Sequence, residues 1–155
     1  MDFIGTGAPR FTNVNAHVVG AATSSDTAKA ISLQGASTAT LVSVNALAEN
    51  GGQFGGTIAL YSAQGNHLVT DSTLATKGPF IRTAIQIDSA AFVRVEQSRI
   101  MTSGNGYSVS VQANTTLHIA ASRVEGTPFF LFGQGTVVCS GVYNANLTFF
   151  PNACP

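Results

Sequence analysis

Short apolar runs alternate with small polar residues along this chain, and the apolar positions recur at a long, slowly shrinking interval. A frame of six residues carries the repeat: Asn13 to Val18, Val42 to Leu47, Val69 to Leu74, Val95 to Ile100, Ile119 to Val124 and Val137 to Val142. Five of the six frames open on Val or Ile, and all six close on Val, Leu or Ile. The fourth position is always small: Ala16, Asn45, Ser72, Ser98, Ser122 and Ser140. Successive frames are separated by 29, 27, 26, 24 and 18 residues. A period in that range is the mark of stacked coils.

A second pattern precedes the last five frames. The pairs Ile31 and Leu33, Ile58 and Leu60, Ile85 and Ile87, Val109 and Val111, and Phe130 and Phe132 are each separated by one residue. Such alternation sets both side chains on one face of a strand. Two short strands per coil are therefore expected, with the variable, glycine-containing connections gathered on one side. Stacking would build one column from Val42, Val69, Val95, Ile119 and Val137. Another would come from Leu47, Leu74, Ile100, Val124 and Val142. The row Asn45, Ser72, Ser98, Ser122, Ser140 suits a tight bend where short polar side chains bond the backbone. No stretch has sustained helical periodicity. The expectation is an all-β parallel β-helix solenoid of about six coils. It forms one domain over 1–155, with repeats over 11–143 and a C-terminal apolar cap over 144–155.

The coils "AIQIDSAAFVRVEQSRI" and "SVSVQANTTLHIAASRV" resemble those of the right-handed parallel β-helix, the pectin lyase-like fold. That resemblance covers roughly residues 11 to 143 and specifies fold far better than chemistry. It implies polysaccharide lyases, glycoside hydrolases, phage tailspikes or bacterial surface adhesins as the relevant protein types. Right-handedness rests on the usual crossover rule.

Composition narrows this set. Charged residues make up 9% of the chain, and seven basic residues balance seven acidic ones. An average domain is about 25% charged. No positive field exists to attract a polyanion along its length, so nucleic acid is not an expected partner. No apolar run is long enough to span a bilayer as a helix, so membrane insertion is not expected. A neutral surface favours association, and either a homotrimer, by analogy with tailspikes, or a place within a longer parent chain follows. Met1 to Arg10 lacks the basic start and apolar run of a signal peptide.

Cys139 and Cys154 are the only cysteines. A disulfide between them would tie the tail over the last coil, worth about 3 kcal/mol by loop closure, and would imply an oxidising, extracellular destination. The alternative is one buried and one exposed thiol. Leu147, Phe149 and Phe150, with Phe129, Phe130 and Phe132, would form an apolar lid over that end. The opposite end has only Phe3, Ile4 and Phe11, so missing coils or a partner are expected there.

The sharpest candidate for binding is Arg99 with Arg123, at the same frame position in adjacent coils. Stacked about 5 Å apart, two guanidinium groups either share an anion such as sulfate, phosphate or uronate, or are neutralised by Glu96 or Glu125. Phe54, Phe80, Tyr107 and Phe129 lie in or beside the variable connections, where they could stack on sugar rings or pack on that flank. The carboxylates Asp71, Asp88 and Glu96 do not form the flanking pair that glycosidases use. His17, His67 and His118 share no frame position and are read as surface residues, so no metal site or cofactor is expected. The reading is an extracellular, cell-surface or virion attachment module for polysaccharide. The alternative is a polysaccharide lyase or glycoside hydrolase.

Overall fold

The structure, a computed structural model, describes residues 1–20, 27–35, 38–49, 56–78, 82–103, 106–126 and 134–155. Among them every regular element is a strand. The first coil holds β1 (Asp2–Ile4), β2 (Arg10–Thr12) and β3 (Asn15–Val19), and the second holds β4 (Ala28–Gln34), β5 (Thr40–Val42) and β6 (Asn45–Glu49). The third has β7 (Thr57–Ser62), β8 (Gly65–Thr70) and β9 (Thr73–Lys77), and the fourth β10 (Arg82–Ile87), β11 (Ala91–Glu96) and β12 (Arg99–Ser103). The fifth has β13 (Tyr107–Val111), β14 (Thr116–Ala120) and β15 (Arg123–Glu125). β16 (Thr136–Ser140), β17 (Val142–Tyr143) and β18 (Phe149–Phe150) finish the chain.

Each coil visits three sheets in turn. Sheet A runs β1-β4-β7-β10-β13, sheet B runs β2-β5-β8-β11-β14-β16, and sheet C runs β3-β6-β9-β12-β15-β17-β18. All pairings are parallel except that of β17 with β18. The protein is a parallel β-solenoid. Three coils, β4–β6, β7–β9 and β10–β12, have neighbours on both sides in every sheet; in the fifth, β14 and β15 do, while β13 pairs with β10 alone among the described residues, so about four full coils stand where six frames imply six.

Three strands per coil, not two, is the main correction. The repeated frame is not one strand. It straddles a bend between sheets B and C made by a single left-handed residue. Asn13, Ser43, Asp71, Gln97 and Ala121 occupy that bend with φ of 56, 54, 50, 47 and 46°, and Gly141 follows with 62°. The first five donate their backbone N–H to the next coil, and Gly141 donates its own to Pro151 O in the tail, so the ladder of hydrogen bonds runs through the bend unbroken. Asn13 reaches Val42 O at 3.1 Å, Ser43 reaches Thr70 O at 3.1 Å, and Ala121 reaches Ser140 O at 2.9 Å.

One step further stand the serines. Ser72, Ser98 and Ser122 are buried, and each hydroxyl works in two directions. It donates to the carbonyl two residues back, at 2.7, 2.6 and 2.7 Å. It accepts the N–H of the preceding coil, from Val44, Ser72 and Ser98, at 3.0, 3.1 and 3.1 Å. The sequence separations of these bonds, 28, 26 and 24, are the true coil lengths there.

Register corrects the end frames. The partner of Val69 is Leu41, and the partner of Ile119 is Cys139. The column is thus Phe11, Leu41, Val69, Val95, Ile119, Cys139, with Val42 and Val137 elsewhere. In sheet C the column is Ala16, Ala46, Leu74, Ile100, Val124; Leu47 lies next to it. Asn45 pairs with Thr73, so Val44, not Asn45, joins the serine row. In sheet A Leu60 pairs with both Ile31 and Ile85. Leu41, Val69, Val95, Leu74, Ile100, Ile31, Leu60 and Ile85 are all fully buried. Burying each such side chain contributes about 1.5–3 kcal/mol, and the continuous columns are why no coil needs a core of its own.

The disulfide joins Cys139 to Cys154, with S–S 2.02 Å. Cys139 belongs to the core column, and the half-buried Cys154 packs against it. Antiparallel β18 pairs Val142 with Phe150 and Tyr143 with Phe149, and this tail caps the end of sheet C. Leu147 and Phe149 stay exposed, while Phe129, Phe130 and Phe132 lie outside the described residues.

Candidate functional site

The outer face of sheet C carries the charged row. Register sets Asn15, Asn45, Thr73, Arg99, Arg123 and Tyr143 in one line across successive strands. Alternation explains the line: Ile100 and Val124 point into the core, so their neighbours Arg99 and Arg123 point out. The two arginines are in-register partners, with side chains 46% and 37% exposed.

Glu125 settles how like charges stand so close. It lies two residues past Arg123 on the same strand and therefore on the same face. Arg99 donates to it from Nε at 2.5 Å and from a terminal nitrogen at 3.0 Å. Arg123 brings its Nε within 3.0 Å of the same carboxylate and donates from its terminal nitrogen to Ala145 O at 3.0 Å. Glu96, the other carboxylate considered, pairs instead with Arg94 on sheet B. The hydrogen bond from Arg99 holds the Glu125 carboxyl below its ordinary range, against the opposing pull of burial. Two cations thus share one anion. Each guanidinium has five N–H donors, more than Glu125 and Ala145 consume.

Tyr143 extends the row, and sequence reasoning missed it. It pairs with Arg123, is exposed, and its ring lies 5.0 Å from that of Phe149. The signal was there: Tyr143 follows Val142 as Arg123 follows Ser122. The last frame was placed two residues early, which hid the equivalence.

Other predicted residues fall elsewhere. Tyr107 opens β13 in sheet A opposite Thr83 and does not join the arginine row. Phe54 and Phe80 lie outside the described residues. Asp88 borders an open depression of about 560 Å³ with Ser89, Gln112 and Asn114. It accepts hydrogen bonds from Gln86 Nε2 at 3.1 and 3.3 Å. Burial, and then the nearby Asp88 carboxylate, push the Tyr61 phenol above its usual value. Only one carboxylate lines that depression among the described residues, where glycoside cleavage uses two.

The histidines are not alike. His17 is exposed and bonds Glu49 at 3.0 Å, which in turn meets Lys77 at 3.4 Å. His67, expected at the surface, is buried. Its Nδ1 accepts the N–H of Ala39 at 3.1 Å, and its Nε2 lies 2.7 Å from Gln64 O. That pair of partners requires the neutral ring with the proton on Nε2, and burial lowers its pKa below 6.5.

The disulfide is consistent with an oxidising compartment. Comparison with protein-family models, curated proteins and solved structures found no match, so the row on sheet C has to be read from its own chemistry.

Proposed function

We propose that this protein is an extracellular attachment module whose sheet C face binds acidic polysaccharide. The observation that supports the reading is the imbalance of two guanidinium groups over one carboxylate. It occurs on an exposed, flat strand row in a chain with no net charge. A uronate or sulfate group suits the free donors of Arg99 and Arg123, because guanidinium forks match planar or tetrahedral oxyanions in paired hydrogen bonds. The Tyr143 ring beside them offers an apolar face for a neighbouring sugar. Strands about 4.8 Å apart repeat these groups along the solenoid axis, so an extended chain can meet them in succession.

The test is calorimetric titration with polygalacturonate and dextran sulfate against neutral dextran. Saturable binding to the acidic polymers, weakening with salt, is expected. R99Q/R123Q should abolish it. E125Q should instead tighten it several-fold, since removal of the competing carboxylate frees both arginines. Equal binding to neutral dextran, or none to any polymer, would remove the basis for this reading.

A further inference from the structure

The two arginines of the sheet C row are held by different parts of the chain. Arg99 is fixed from within the solenoid, by the paired hydrogen bonds it donates to Glu125 of the next coil. Arg123 is fixed from the tail as well. Its terminal nitrogen donates to Ala145 O at 3.0 Å. The ring of its row neighbour Tyr143 lies 5.0 Å from that of Phe149. Both contacts come from residues that follow β17 in the chain.

The tail reaches them in a defined shape. The Asn144 side chain accepts the N–H groups of Asn146 and Thr148, each at 2.9 Å, and Leu147 N–H bonds Asn144 O at 3.1 Å. This closes the turn that aims the Ala145 carbonyl at Arg123. β18 then returns antiparallel and sets Phe149 opposite Tyr143. β17 has only two residues, so its place depends on β15 to one side and β18 to the other. Past β18, Pro151 O accepts the N–H of Gly141 at 2.9 Å, and the disulfide ties Cys154 to the core column at Cys139. A two-stranded pairing is marginal in water without further support, and the covalent tie supplies it.

We propose that, on the reading of this row as a site for acidic polysaccharide, the disulfide is its latch. Closed, it seats the tail against Arg123 and Tyr143; opened by a dithiol, it releases both and weakens binding. The chemistry is thiol–disulfide exchange. Cys154 is half-buried and Cys139 buried, so the attacking thiolate meets the tail sulfur first. The Cys139–Cys154 S–S bond breaks, the dithiol gives up two electrons and two protons to leave two thiols, and its own sulfurs close into a disulfide. An arginine already held in its binding rotamer loses less freedom on association than a mobile one. Release of the tail removes that preorganisation. The one donor it frees adds little, because a guanidinium carries five.

Calorimetric titration of the full chain with dextran sulfate, oxidised and after dithiothreitol, decides the matter. The oxidised protein should bind about tenfold more tightly than the reduced one, the scale of one side chain no longer immobilised in advance. C154S should bind like the reduced protein and ignore the reductant. R99Q should keep the redox response and R123Q should lose most of it, a coupling that general loosening would not produce. If reduction unfolds the coils, seen as loss of the strand signal in circular dichroism, oxidised F149A carries the test with an affinity lower by about threefold. Equal affinity in both redox states, a full response in R123Q, or unchanged affinity in F149A would overturn the latch alone. No binding by the oxidised protein would overturn the sheet C reading and the latch with it.

Discussion

Ser98 holds its place by a hydroxyl that is at once donor and acceptor. Ser98→Ala leaves the Ser72 N–H, buried between coils, without its acceptor. An orphaned buried donor costs about 1–3 kcal/mol, and denaturant unfolding should register a loss of that size with an unchanged m-value. His67 yields a prediction of a different kind. Its folded pKa lies below 6.5, so the unfolded chain takes up the proton first as pH falls. Its contribution to stability is therefore full above about pH 6.5 and is lost below it, toward the folded pKa. Protonation also turns Nδ1 into a donor facing the Ala39 N–H. H67Q should flatten the stability profile between pH 7 and 5; an unchanged slope would mean another group is responsible. The buried state of His67 could not be read from sequence, since nothing local distinguishes it from the exposed His17.

At the scale of the element, the bend between sheets B and C repeats in conformation but not in residue type. Asn13, Ser43, Asp71, Gln97, Ala121 and Gly141 share only a positive φ. That explains what the sequence disclosed and what it hid. Val69, Val95 and Ile119 announce the core column, and Ser72, Ser98 and Ser122 mark the turn after it, so the three central coils were legible. In the flanking coils valines stand in the serine row, and Asn45, one residue off, took the place that Val44 fills. A slip of one residue reverses the face of every side chain, and a slip of two displaces the whole frame, as with Tyr143. Left-handed backbone costs a non-glycine residue about 1 kcal/mol. Ala121→Gly should relieve that strain, less the extra freedom of the unfolded chain, and raise the midpoint of thermal unfolding. A fall would show that the Ala121 methyl packs more usefully than its exposure implies. The opposite change fits Gly126, whose φ is +119° and where an added Cβ would stand 2.5 Å from Thr102 O. Gly126→Ala should lower the same midpoint.

For the whole molecule, the C-terminal cap is the feature to probe. The C-terminal cap depends on one covalent clamp from Cys154 to a cysteine in the core column. C154S should cost about 3 kcal/mol, because the tail is then held by β18 and a few backbone bonds alone. Limited proteolysis should cut the variant within 144–155 while leaving the coils intact; cleavage spread through the coils would mean the clamp stabilises the whole rod. The paired arginines and Glu125 were foreseen as alternatives, a bound anion or an internal counter-ion. The structure shows the counter-ion, Glu125, against both arginines; the bound anion is the proposal.

The serine row has a further consequence for length. Ser72, Ser98 and Ser122 pass the same bond from coil to coil, and the row stops where valine replaces serine. A duplicated segment running from one serine to the next would carry its own bend, its own core residues and both halves of the bond it needs. Gene duplication could therefore lengthen the rod by about 4.8 Å per copy while leaving both ends as they are, which makes this protein a ruler whose graduations are already cut.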